Sequence, residues 1–170
     1  MNKNFTIEEG DHRSGIYFAP ALNNKSEHNI EFMFDSDCYF PLREVDDYDI
    51  NKLFGFSFGL HHRDSIRLGW RPSKNENKID IYYYCYNNGV RSFDFICEVD
   101  CFRYNTAKIV CDYKSNTFEI SITKPYKHTI QLGKIKFIYP KFKIGYYLFP
   151  YFGGNKTAPC SMNIFIDRKH

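Results

Sequence analysis

No stretch of this 170-residue chain is apolar for long enough to cross a membrane. The opening Met1-Asn2-Lys3-Asn4-Phe5-Thr6 also lacks the apolar run of a signal peptide. The expectation is a protein that works where it is made, inside a cell or in a virion, or an exported one trimmed of its leader. Charge of one sign is scarce too. The formal net charge is +3, with Lys and Arg scattered along the chain and an acidic stretch from Asp35 to Asp49. Nucleic-acid binding asks for a basic stripe or patch, so nucleic acid is not an expected partner. Helical periodicity is missing as well. No segment of helical length places apolar residues every 3.6 positions, and only 41–52 has room for a short helical turn.

Signatures of self-sufficient chemistry are absent. There is no Gly-x-Ser-x-Gly and no Cys–His arrangement for nucleophilic catalysis. The loop Tyr151 to Pro159 contains Gly153-Gly154 but lacks the Gly-Lys-Ser/Thr ending and the helix of a phosphate loop. It reads as a tight connection packing Tyr151 and Phe152 against the body of the protein. Of the six cysteines, Cys97 and Cys101 lie four apart with no second pair or nearby His, so zinc spacing is missing. Cys97, Cys101 and Cys111 alternate with apolar residues and read as reduced, buried thiols.

His61-His62 invites a metal reading. Neighbouring strand residues point to opposite faces, however, and two such imidazoles do not chelate one ion. Asp35-Ser36-Asp37, with Glu44, Asp46, Asp47 and Asp49, offers oxygen ligands for a structural calcium but lacks EF-hand spacing. A solvated acidic loop explains it more simply. No cofactor and no metal ligands are expected.

What the chain does have is aromatic residues, 19% of the total, set in a period-two rhythm broken by turn signals every eight to fifteen residues. Ile30, Phe32 and Phe34 share one face of an early strand. Phe54, Phe56, Phe58 and Leu60 share a face of the next, opposite Gly55, Ser57, Gly59 and His61. In 65–71, Ile66, Leu68 and Trp70 oppose Arg67, Gly69 and Arg71. In 78–86, Ile79, Ile81, Tyr83 and Cys85 oppose Asp80, Tyr82, Tyr84 and Tyr86. Asn87-Asn88-Gly89 signals a hairpin, returning a strand with Phe93, Phe95, Cys97 and Val99 inward. Further strands are expected at 104–112, 117–124, 127–132 and 134–138, then from Phe142 to Phe149 and Cys160 to Asp167. Ten or more short strands at this spacing point to a sandwich or barrel, and the expectation is an all-β single domain, residues 1–170, folded as a two-sheet antiparallel β-sandwich.

The middle strands share one polar face. His61, Arg67, Arg71, Asp80, Tyr82, Tyr84 and Tyr86 lie on it, and Gly55, Ser57, Gly59 and Gly69 are expected to leave room for a ligand near the backbone. Aromatic rings that stack on sugars, beside Arg and Asp that bind hydroxyls or carboxylates, suit a carbohydrate groove. An ordinary exposed sheet face also uses Tyr and Arg, for cross-strand packing.

Lys141-Phe142-Lys143-Ile144-Gly145-Tyr146-Tyr147 resembles the Tyr-Phe-Lys-Ala-Gly-x-Tyr strand of alginate-lyase-like enzymes with the concanavalin A-like jelly-roll fold. Arg67-Leu68-Gly69-Trp70-Arg71 keeps the two arginines of that family's Arg-x-Glu-x-Arg strand, in the same order along the chain. Gly69 replaces the glutamate, and the family's Gln-Ile-His is absent; Tyr82-Tyr83-Tyr84-Cys85-Tyr86 stands in its region. The resemblance implies Tyr147 as acid/base residue, with Arg67 and Arg71 holding a substrate carboxylate and His61 as a substitute base. Three functions follow. The leading one is a non-catalytic carbohydrate-binding module using Arg67, Arg71, Asp80, Tyr82, Tyr84 and Tyr147 on a polysaccharide or glycan. The second is a polysaccharide lyase that cleaves uronate polymers by β-elimination. The third is a structural or assembly module that works by contacts with a protein partner.

Overall fold

The computed structural model describes residues 2–15, 18–22, 25–42, 49–141 and 143–169. Strands β1 (Asn2–Ile7), β2 (Phe18–Leu22), β3 (Glu27–Phe34), β4 (Asn51–Ser57), β5 (Ser65–Pro72) and β6 (Lys78–Asn87) make up the first half. The second half holds β7 (Val90–Asp100), β8 (Asn105–Asp112), β9 (Thr117–Thr123), β10 (Thr129–Lys136), β11 (Ile144–Leu148) and β12 (Met162–Lys169). They form two six-stranded sheets, in the orders β1-β12-β3-β8-β9-β10 and β2-β11-β4-β5-β6-β7. Pairing within each sheet is antiparallel, which gives the two-sheet sandwich expected from the alternation. Among the described residues no helix is long and apolar enough to cross a membrane.

Alternation builds the core. Ile30, Phe32 and Phe34 of one sheet face Phe54, Phe56, Ile66, Leu68 and Trp70 of the other, all buried. The Phe34 and Trp70 rings meet across the interface at 5.2 Å. Fully burying one such side chain stabilises the fold by roughly 1.5–3 kcal/mol. All six cysteines are free and five are buried, Cys97 and Cys111 among the core residues. The β6–β7 hairpin turns at Asn88 (φ +50°) and Gly89 (φ +79°), the paired positive angles of a tight two-residue turn.

Several expected boundaries move. Strand β4 ends at Ser57, so Leu60 falls in the following turn and is 74% exposed. Residues 127–138 give one strand, Thr129–Lys136, with a register shift between Leu132 and Ile135, where two were expected. The last strands contract to Ile144–Leu148 and Met162–Lys169, and Phe142 lies outside the described residues. So do residues 43–48 of the turn expected at 41–52; Asn51 already belongs to β4. Among the described residues, short 3-10 turns occur at Ser36–Cys38 and Pro125–Lys127.

The largest departure is in β7. Tyr82 pairs with Phe95 and Ile81 with Cys97, which leaves Ile96 as an extra residue. A one-residue bulge reverses the facing of everything beyond it. Ile96, Cys97 and Val99 are buried, whereas Phe93 and Phe95, expected inward, are each 47% exposed on the opposite face.

His28 continues the inward row of β3. Its ring stacks on Phe56 at 3.9 Å and meets Tyr147 edge-on at 6.1 Å. Burial, and then the charges of Arg168 and Lys25, hold its imidazole down to about 4. The unfolded chain binds that proton near the ordinary value of 6.5 while the folded chain does not. Stability is therefore complete above pH 6.5 and declines as pH falls towards 4, by about 3 kcal/mol. In His28→Phe this part of the pH dependence should disappear, as measured by urea unfolding at pH 7 and pH 5; an unchanged difference between the two would refute the assignment.

Candidate functional site

The outer face of the second sheet is concave and encloses a cleft of ≈ 850 Å³. Period two places its floor. Arg67 pairs with Tyr84, Gly69 with Tyr82 and Arg71 with Asp80 across β5 and β6, and directly opposed residues point to the same side. Arg67, Arg71, Tyr82, Tyr84 and His61 all line the cleft, so most of the residues singled out from the sequence come together. Asp80 backs them: the Arg71 Nε lies 3.9 Å from its Oδ2, and the Tyr82 hydroxyl donates to the same carboxylate at 3.4 Å. The Arg71 guanidinium also stands 5.0 Å over the Tyr82 ring. The buried Arg67 donates from Nη2 to the Phe149 carbonyl at 3.4 Å.

Tyr147 does not join them. It pairs with the inward Phe56, packs against Phe54 at 6.0 Å and lies under the Arg168 guanidinium at 3.5 Å. Its side chain therefore points between the sheets. Its neighbour Tyr146 takes the cleft side, where its hydroxyl meets the His61 Nδ1 at 2.8 Å and accepts from the His61 N–H at 3.3 Å. The resemblance matched the residues of this strand, but its placement against β4 turns the other tyrosine outward.

Two further expectations are corrected. Gly55 and Gly69 do not leave open space, and Gly59, which does, lies beyond the end of β4. A Cβ at Gly69 would strike the Ile50 side chain, and one at Gly55 would strike the backbone and side chain of Arg67. These notches seat the protein's own groups. Second, His61 and His62 occupy a turn rather than a strand, so both imidazoles reach the cleft, with ring centroids 4.2 Å apart. No group of three or more metal-ligating side chains occurs among the described residues. The Asp35 carboxylate accepts from the Asp37, Cys38 and Asn163 amides, a structural use. Glu44, Asp46 and Asp47 lie outside the described residues.

Other cleft residues were not visible in the sequence. Lys52 stands on β4 just before a register shift between Lys52 and Phe54. That break in alternation hid it. Its Nζ donates to the Ile50 carbonyl at 2.6 Å and the Gly153 carbonyl at 3.2 Å, and lies 4.6 Å from the Tyr84 ring centroid. Phe93, turned outward by the β7 bulge, stacks on Tyr84 at 6.2 Å, and Arg91 covers Phe93 at 5.6 Å. Phe95 meets Tyr82 at 5.8 Å. Tyr151 and Gly153 form one wall. The Tyr151 backbone bridges to both Lys52 and Arg13, and the Gly153 N–H donates to the Asn51 Oδ1 at 2.6 Å. Phe152, between them, is buried beside Trp70 at 6.3 Å. The loop thus packs one aromatic inward and lends the other to the cleft.

Burial shifts several titratable groups of the cleft. Burial raises the phenols of Tyr82 and Tyr84 to about 12, in Tyr84 with help from a hydrogen bond to Tyr86. Burial, followed by the charges of His62 and Arg67, holds His61 down to about 4. Burial, followed by the Arg67 charge, lowers the Lys52 amine to about 8 despite Asp49.

Comparison with known proteins supports the fold. No family model matches the sequence, and no curated protein matches it. Among solved structures, a xylan β-1,4-xylosidase from Bacillus halodurans C-125 aligns with 99% of this chain at 10% identity and a TM-score of 0.55. This chain spans about a third, 33%, of that enzyme's length. A basic winged bean lectin with Tn-antigen aligns over 100% of this chain and 99% of its own, at 10% identity and a TM-score of 0.48. A Ruminococcus gnavus IT-sialidase CBM40 bound to α2,3 sialyllactose aligns over 96% and 90%, at 12% identity and 0.41. The chain has a concanavalin A-like β-sandwich fold.

In an NMR titration, His61 should titrate near pH 4, and His62→Asn should move its midpoint upward. A midpoint at the free-imidazole value in the unsubstituted protein would mean that this end of the cleft is open to water.

Proposed function

We propose that the concave face binds a carbohydrate chain and does not cleave it. The observation that carries this reading is the combination of exposed aromatic rings with hydrogen-bonding cations along one cleft. Phe93 in the cleft and Phe95 on the same sheet face are half-exposed and braced by Tyr84 and Tyr82, and Arg67, Arg71 and Arg91 line the same cleft as Phe93. Flat apolar surface with a few fixed polar groups is what a sugar ring, apolar on its faces and hydroxylated at its edge, requires. Bracing matters, because a ring already held by its neighbour loses little freedom when a ligand stacks on it. The fold shared with part of a xylan-acting enzyme agrees with saccharide chemistry and transfers no residue role.

Binding is preferred over uronate elimination because Tyr147 and His61 lie on opposite sides of the sheet. The acid/base pair implied by the lyase resemblance is not assembled. A second reading, an assembly module, is favoured by one observation. On the edge strand β2 Phe18 and Leu22 are 57% and 67% exposed, and Ile144 on the adjoining β11 is 64% exposed. Self-association rising with concentration in analytical ultracentrifugation, and abolished by Leu22→Lys, would support it.

Phe93→Ala with Phe95→Ala should lower polysaccharide affinity by roughly tenfold or more, equivalent to about 1.4 kcal/mol, in affinity electrophoresis across a polysaccharide panel. Far-ultraviolet circular dichroism should stay unchanged. Undiminished affinity in the folded double variant would remove the cleft from consideration.

A further inference from the structure

The cations of this chain are dispersed in sequence but gathered in space. Arg13, Lys52, Arg67, Arg71 and Arg91 all line the cleft, and among the described residues lining it the single carboxylate is Asp49. They come from separate elements. Lys52 belongs to β4, Arg67 and Arg71 to β5 and Arg91 to β7, while Arg13 reaches the cleft from the segment bridged to Tyr151.

Two of these cations are fixed by neutral oxygens. Carbonyls of Ile50 and Gly153 hold Lys52, and the Phe149 carbonyl holds Arg67. Carbonyl contacts orient a cation without cancelling its charge. Arg71 faces the Asp80 carboxylate. Burial, and then the nearby Arg67 charge, lower the Lys52 amine, with Asp49 pulling the other way and Arg91 adding a smaller push. Like charges held together in one cleft repel one another, and an anion entering between them relieves that repulsion.

We infer that the saccharide bound here is acidic, with a carboxylate or sulfate group seated among Lys52, Arg67 and Arg91 while its ring packs against the exposed part of Phe93. This inference rests on the reading of the cleft as a saccharide site. The contacts fit one ligand, because Arg91 covers the Phe93 ring and Phe93 stacks on Tyr84, over which Lys52 sits. The aromatic surface and the charged groups therefore adjoin. The residues involved are not the two arginines of the lyase-like strand alone; Lys52, Arg91 and Phe93 supply the new part of the site.

The test is calorimetric titration of the full chain with four polymers: dextran, dextran sulfate, polygalacturonate and methyl-esterified polygalacturonate. A single-stranded oligonucleotide serves as a competing polyanion. The expected result is binding of polygalacturonate, of dextran sulfate or of both, at least tenfold tighter than the matched neutral polymer and weakened by salt. The two acidic arms distinguish carboxylate from sulfate. Arg91→Gln, at an exposed position, should cost the acidic polymer at least fivefold, and Lys52→Gln should act in the same direction. Equal binding of neutral and acidic polymers would overturn the acidic inference and leave the saccharide reading standing. Binding of none of them would overturn both. Acidic binding indifferent to Arg91→Gln and Lys52→Gln, or surpassed by the oligonucleotide, would also overturn it, since the attraction would then be unspecific.

Discussion

A strand offers its side chains to two faces in alternation, and in β4 to β7 both faces are in use. Phe56, Leu68, Trp70 and Ile81 fill the core, while the residues between them build the floor of the cleft. The two tasks are therefore tied to one register. A shift of one residue would move guanidinium groups into the core and indole and phenyl rings into water. The positions of Arg67, Arg71, Tyr82 and Tyr84 are fixed by the demand that Ile66, Leu68, Trp70 and Ile81 be buried. The hydrophobic effect thus places the polar site without acting on it directly.

That coupling explains what was legible in the sequence. Wherever alternation runs unbroken, in β5 and β6, the facing of each residue could be read residue by residue. The hairpin at Asn88-Gly89 was legible for a separate reason, since both turn positions adopt positive φ. Where a strand carries an extra residue the reading failed. Ile96 in β7 and Leu53 in β4 are both apolar and both buried, so nothing in their chemistry marks them as insertions. Phe93, Phe95 and Lys52 were lost to view in consequence. Leu60 misled in the opposite sense, extending the apolar rhythm of β4 beyond the strand's last residue.

Tyr146 and Tyr147 show the limit of matching short motifs. Both are tyrosines on one strand, and only the pairing of Tyr147 with Phe56 decides which of them meets the cleft. Sequence neighbours carry no information about that pairing, because it depends on β4, about ninety residues earlier in the chain. The charge of the cleft was hidden for a related reason. A count along the chain shows mixed signs, whereas the sheet selects alternate residues from strands far apart in sequence and sets like charges side by side.

The notches at Gly55 and Gly69, closed by Arg67 and Ile50, separate this face into regions with different freedom to vary. In the middle, any change of side-chain size is transmitted to the backbone of the neighbouring strand, so drift there endangers folding. At the margin, Arg91, Phe93 and Phe95 project from a strand that, among the described residues, has no neighbour on its far side within the sheet. Replacements at that border meet little steric resistance. A lineage carrying this scaffold can accordingly diversify what it recognises from the periphery inward, keeping its centre as an inherited frame.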